Sequence, residues 1–165
     1  YENLKEIFNS LVELRKNKYC PLYLKISPDL EKSEITEICE LVKEYSLSGI
    51  VATNTTIMPT VGEGGVSGYL LKEKARKTRD ILCEVLKEDR SIDIIGVGGF
   101  DKMDEILNFW KKGGRAVQIY SAFIYQGPQV LKNIKKEIDI FLDKNHLGSI
   151  EELIENIQYL DIKDN

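Results

Sequence analysis

The feature that most limits how this chain can fold is an alternation. Four short runs rich in Ile, Val, Leu and Tyr, at 22–26, 49–53, 93–97 and 116–120, are each bounded by Gly, Pro, Ser or Asn. Between and after them lie stretches whose apolar residues recur at helical spacing. Strand-length runs alternating with helical patterns predict an α/β chain with a parallel sheet. Three of the runs are apolar almost throughout, which suits strands buried on both faces.

The helical stripes are Ile35, Ile38, Cys39, Val42 and Tyr45; Ala75, Ile81, Leu82, Val85 and Leu86; Met103, Ile106, Leu107 and Trp110; and Leu131, Ile134, Ile138, Phe141 and Leu142. Another amphipathic helix, with Leu4, Ile7, Phe8, Leu11 and Leu14, opens the sequence at Tyr1, a start that leads us to expect further sequence upstream. The helix ends carry expected punctuation: Ser33 and Asp101 as N-caps, Pro128 in a first turn, and Gly113 and Gly114 after Lys111 and Lys112. Ser149 and Glu152 form a capping box for a terminal helix.

Two architectures accommodate four such units. A doubly wound sheet is complete at 165 residues, whereas a (β/α)8 barrel needs eight strands and about 250 residues, so four units make half of one.

Composition removes several partners. Lys and Arg number 23 against 27 Asp and Glu, a formal charge of -4 with the signs interspersed, so no basic stripe suits nucleic acid. Cys20, Cys39 and Cys83 are far apart, without metal-ligand spacing, and their odd number rules out a fully paired set of disulfides within the chain. No apolar run approaches the roughly 20 residues that cross a bilayer. We expect no metal and a reducing compartment. The cysteines, Met103, Trp110 and the stripe aromatics read as core, and His146 as surface.

Each strand is followed by residues that a buried strand does not need. After the first come Lys25, Ser27, Pro28 and Asp29; after the second, Thr53, Asn54, Thr55 and Thr56, then Gly64, Gly65, Val66, Ser67 and Gly68. After the third come Gly98 and Gly99, and after the fourth Tyr120 and Ser121. The C-terminal ends of parallel strands are where α/β folds build their sites, so these clusters share one face.

Lys25 is the most informative of them, because an ammonium in an apolar strand needs an anion unless it snorkels out or pairs with a carboxylate such as Asp29. Gly98 and Gly99 let bare backbone approach a ligand and offer N–H groups to a phosphate; tight turns alone are the other reading. Residues 122–128 leave room for the short extra helix that barrels place at a phosphate site. Asn54 and its threonines present an amide and hydroxyls to a planar polar ligand, or cap a turn.

Taken in order, Leu24-Lys25-Ile26-Ser27-Pro28-Asp29-Leu30, Thr53-Asn54-Thr55-Thr56, Gly64-Gly65-Val66-Ser67-Gly68, Ile94-Ile95-Gly96-Val97-Gly98-Gly99 and Gln118-Ile119-Tyr120-Ser121 resemble the dihydroorotate dehydrogenases. Tyr120-Ser121 followed by Phe123 and Gly127-Pro128 resembles the class 2, quinone-linked branch. The resemblance selects the barrel: residues 1–165 are expected to be the C-terminal half of one flavin mononucleotide (FMN)-binding (β/α)8 barrel domain, supplying its last four strand-helix units.

The resemblance also implies an activity: oxidation of dihydroorotate to orotate in pyrimidine biosynthesis, with hydride passing to FMN and electrons to a ubiquinone-type acceptor. Lys25, Thr53, Gly68, Gly99, Tyr120 and Ser121 would contact FMN. Lys25 would sit at the pyrimidine edge, where a fixed cation stabilises the reduced ring. Asn54 and Thr55 would bind orotate. The family's catalytic base is a serine on a loop upstream of the first strand seen here, so no catalytic residue is assigned, and Ser27 and Ser67 lie in no base motif. Residues 57–63 form a shorter connection than in the family.

Further expectations concern partners and place. The N-terminal half of the barrel should cover open edges and an apolar inner face, since half a barrel should not be stable alone. Membrane contact should be peripheral and come only from upstream sequence. The site of action should be the mitochondrial inner membrane in a eukaryote or the cytoplasmic face of the inner membrane in a bacterium. The alternatives are a class 1 or dihydropyrimidine-type FMN barrel enzyme, separated by its electron acceptor, and a phosphate- or flavin-binding fragment without catalysis.

Overall fold

Each of the four apolar runs becomes a strand, the third over its full length and the other three shortened by a residue or two. The computed structural model describes residues 2–15, 20–160 and 162, and Tyr1 lies outside them. In chain order the elements are α1 (Glu2–Arg15), β1 (Tyr23–Ile26), α2 (Lys32–Glu44), β2 (Gly49–Ala52), β3 (Thr56–Ile57), β4 (Gly65–Val66), α3 (Lys72–Val85) and β5 (Asp93–Val97). They continue with α4 (Met103–Lys111), β6 (Ala116–Gln118), α5 (Ser121–Gln126), α6 (Gln129–Lys144) and α7 (Ile150–Asn156). Thr53 and Tyr120 therefore lie just beyond their strands rather than in them.

The main sheet is parallel with strand order β1-β2-β5-β6. Strands follow one another in sequence order without reversal, which is the winding of a barrel and not of a doubly wound sheet. Register fixes the two faces. Ile26, Ala52, Gly96 and Val117 align across the four strands, and this row packs into the core with the helices. The alternate row is Lys25, Val51, Ile95 and Ala116.

Burial on both faces was expected and holds only for β2. In β1 and β6 the second row is exposed at Lys25, Ala116 and Gln118, because all of the packed helices cover the other face.

The core follows the helical stripes with small shifts. Ile35, Leu41, Val42, Leu82 and Leu153 are fully enclosed, each contributing about 1.5–3 kcal/mol of burial. In α6 the buried face begins at Val130, and Leu131 is exposed. In α1 only Phe8 is buried, against Tyr45, while Ile7 and Leu14 face outward. Gly96 is small for a reason: a Cβ there would lie 2.7 Å from Phe100 and 2.9 Å from Phe109. Cys39 and Cys83 are buried and Cys20 is exposed, all as free thiols; burial pushes the two enclosed thiols up to about 11 and about 12. His146 is exposed.

Two expected caps are displaced. Helix α2 starts two residues earlier, at Lys32, so Ser33 is helical and Glu31 is the N-cap, its N–H donating to the Glu34 carboxylate at 2.8 Å. In helix α4 the N-cap position falls on Lys102, which makes no side-chain cap, while Asp101 just before it lies 3.7 Å from the Lys72 ammonium. Ser149 caps α7 as expected, with Glu152 N–H donating to its Oγ at 3.1 Å, while the Glu152 carboxylate accepts from Gly148 N–H rather than from Ser149.

Candidate functional site

The polar clusters after the four strands converge on one cleft of about 240 Å³. Lys25, Thr53, Asn54, Thr55, Gly68, Gly99, Tyr120 and Ser121, the eight residues singled out by sequence, all line it. Register explains the convergence, since parallel strands in one row end side by side and release their loops on the same edge of the sheet.

Lys25 projects from the open face of β1, exposed, and has no hydrogen bond or ion pair among the described residues. Its candidate partner Asp29 is engaged elsewhere: the Asp29 carboxylate accepts from Lys74, from Thr56 Oγ1 at 2.5 Å and from Ser27 Oγ at 3.2 Å. The hydrogen bond from Lys74, then that from Thr56, holds the Asp29 carboxyl below its ordinary value. With Asp29 taken, the Lys25 charge is left for something that enters the cleft.

The strand 2 loop is sewn to both neighbours. Thr53 N–H donates to Val97 O at 2.9 Å and Asn54 N–H to Ile26 O at 2.8 Å. Thr53, only 2 % exposed, turns its hydroxyl onto Asn54 O. Asn54 Oδ1 accepts from Thr55 N–H at 3.0 Å, so part of the turn-capping reading is realised. Its Nδ2 has no partner among the described residues and remains a donor for a ligand.

Sequence reading missed the small antiparallel hairpin of β3 and β4, which follows this loop. It brings Gly65 so close to Thr55 that a Cβ would lie 2.8 Å from the Thr55 Cβ. Two-residue strands are too short to leave a periodic signal.

At the other side of the cleft, Ser67 and Ser121 share a hydrogen bond of 2.9 Å, and a Cβ on Gly68 would come within 3.2 Å of Ser121. Helix α5 occupies the region expected to hold a short extra helix, with Tyr120 as its N-terminal flank. Tyr69, Tyr120 and Tyr125 stand largely exposed around this end.

The third-strand turn is the tightest element. Gly98 and Gly99 have φ of +98° and +82°. A Cβ on Gly99 would lie 2.8 Å from Lys72 Cα, so backbone meets backbone there. Neither glycine N–H has an acceptor among the described residues. Lys72 lines the same cleft, but its ammonium is neutralised by Glu105 at 3.1 Å and Asp101 at 3.7 Å.

A second residue that sequence reading missed lies behind this turn. Arg79 is 2 % exposed, and burial draws its guanidinium down to about 10, still a cation at neutral pH. It falls at helical spacing within the buried stripe of Ala75, Thr78, Leu82 and Cys83, and that spacing was the available signal.

Among the described residues no group of His, Cys, Asp or Glu could hold a metal ion, and no helix is long and apolar enough to cross a membrane.

The dihydroorotate dehydrogenase family model matches residues 2–142. A dihydroorotate dehydrogenase (quinone) of Psychromonas ingrahamii is 42% identical over 135 residues, covering 77% of this chain and 40% of its own length. The protein of the same name from Trichodesmium erythraeum is 34% identical over 169 residues, covering 93% and 44%. A crystal structure of DHODH from Eimeria tenella in complex with ferulenol superposes with a TM-score of 0.73 at 27% identity, covering 88% of this chain and 40% of that one. The ligand-free form gives 0.72. The chain thus spans about two-fifths of the length of the curated relatives it matches.

Proposed function

Because the chain belongs to the dihydroorotate dehydrogenase family, we propose that it forms the cofactor-holding side of an FMN enzyme that oxidises dihydroorotate to orotate in pyrimidine biosynthesis, with a ubiquinone-type acceptor. The observation that supports this most is the convergence of all eight motif residues on one cleft.

The residues present fit FMN. The Gly98-Gly99 turn offers two unpaired amides on backbone that a side chain would obstruct, which suits a phosphate, and Gly68, Gly99, Tyr120 and Ser121 would hold that end. Lys25 and Thr53 would hold the ring. FMN, when bound, supplies the hydride acceptor.

The chain's own residues then do electrostatic and positioning work. Lys25 would place an uncompensated cation at the end of β1, where it would stabilise negative charge developing on a reduced ring. Asn54, held by its own backbone bond to Ile26 O, would offer its free amide N–H groups to the carbonyls of orotate, and Thr55 would add a hydroxyl. No catalytic base is assigned: Ser27 donates to Asp29, and Ser67 shares its hydrogen bond with Ser121.

The N-terminal half of the same barrel would be the structural partner. It would pair with the edges of β1 and β6 and cover Lys25, Ala116 and Gln118 on the open face. Membrane association, at the mitochondrial inner membrane or the cytoplasmic face of a bacterial one, would come through other parts of the protein.

Adding dihydroorotate to the full-length protein loaded with FMN tests the reading. Bleaching of the oxidised flavin spectrum that a quinone reverses is expected. Reversal by fumarate or nicotinamide instead places the chain with other FMN barrels, and flavin binding without bleaching supports a binding role alone.

A further inference from the structure

Arg79 is a buried cation with no carboxylate in hydrogen-bonding contact among the described residues, an arrangement that costs several kcal/mol unless the donors are well used. Its Nη1 donates to Gly98 O at 2.8 Å and to Val97 O at 3.3 Å, and the guanidinium lies 4.3 Å from the centre of the Phe100 ring. Val97 O already accepts from Thr53 N–H, so satisfying that carbonyl does not require an arginine.

What the guanidinium adds is direction. The peptide bonds after Val97 and Gly98 are trans and planar, so each N–H points opposite to the carbonyl of its own unit. Holding Val97 O turns the Gly98 N–H away from Arg79, and holding Gly98 O does the same for the Gly99 N–H. Gly98 and Gly99 line the cleft, and Arg79 does not. At positive φ and without side chains, these two residues have the backbone freedom to rotate out of that orientation.

We propose that Arg79 is a positioning residue for anion binding: by gripping two successive carbonyls from behind, it aims the Gly98 and Gly99 amides into the cleft as a paired donor for a phosphate monoester. The proposal rests on the FMN reading of that cleft. It assigns a task to a residue outside the cleft, which acts through the backbone and never touches the ligand.

The test compares FMN with riboflavin, which lacks the phosphate, by fluorescence titration of the full-length protein and its Arg79→Lys and Arg79→Met variants. Lysine keeps the charge but, as a point donor, cannot hold both carbonyls in one plane. Both variants should bind FMN about tenfold more weakly, the loss of about one charge-assisted hydrogen bond, with riboflavin affinity unchanged. Equal weakening of the two ligands would mean that Arg79 only supports the fold, and an unchanged FMN affinity would mean that the amides need no aiming; either overturns the proposal. If the wild type itself holds FMN no tighter than riboflavin, the phosphate reading of the turn falls, and the proposal with it.

Discussion

Replacing Gly99 by alanine separates two effects that usually arrive together. Gly99 and Gly64 both have positive φ, +82° and +99°, so an alanine at either carries the left-handed penalty of about 1–2 kcal/mol. Their surroundings differ. A Cβ on Gly64 meets nothing within 4 Å, whereas one on Gly99 falls 2.7 Å from Lys72 Cγ and 2.8 Å from Lys72 Cα. The Cγ can swing aside. The Cα belongs to the first turn of α3, which is anchored by buried Leu71 and Ala75, and overlap of that kind adds about 1–3 kcal/mol.

Gly64→Ala should therefore lose about 1–2 kcal/mol and Gly99→Ala about 2–5 kcal/mol, a large share of a typical stability of about 5–15 kcal/mol. Urea unfolding of the full-length protein without flavin measures both, and FMN titration should show weakened binding for Gly99→Ala alone. Equal stability losses in the two variants would refute the close-approach argument, whatever happens to the flavin.

Three other outcomes are expected. Lys25→Ala should slow flavin reduction by dihydroorotate more than it weakens flavin retention, because its charge matters most once the ring is reduced; stopped-flow reduction beside FMN titration distinguishes the two, and equal losses would remove the assignment. Leu82→Ala, fully buried under the sheet, should cost about 2–5 kcal/mol in chemical denaturation without altering the preference for FMN over riboflavin. Asp29, whose folded carboxyl is held below its ordinary value of 3.8, contributes stability that is present above that value and is lost as the pH falls through the lowered one. Asp29→Asn should flatten that part of the acid unfolding curve, by under about 1 kcal/mol since the pair with Lys74 is partly exposed; an unchanged curve would count against the network.

The strands were legible because β-branched runs between Gly, Pro and Asn leave few other options, and the site was legible because parallel strands deliver their polar followers to one edge. Ser33 and Asp101 misled because capping depends on where the helix begins: the N-cap position of α4 falls on Lys102, with Asp101 just before it beside Lys72, and the Glu31-Glu34 pair starts α2 before Ser33 is reached. Arg79 sits at stripe spacing but is passed over when only apolar residues are counted, and the carbonyls that receive it lie 18 and 19 residues away. The exposed face of β1 and β6 could not be read from residue type either, because Ala116 and Lys25 reveal which side is open only once register is known.

The strand order also bears on how the sheet comes together. Its three pairings join Gly49 to Tyr23, Asp93 to Gly49 and Ala116 to Ile95, separations of 49 − 23 = 26, 93 − 49 = 44 and 116 − 95 = 21 residues. Each ladder closes a single crossover, and since doubling a loop adds only about 0.6 kcal/mol of closure entropy, no pairing is much harder than another. The sheet can grow by adding one strand at a time in the order of synthesis, with each new strand meeting an edge already in place. In the barrel proposed above, the outer edge of β1 would meet the strand made just before it, and only β6 would have to find a strand far back in the chain, a closure that should set the speed of assembly.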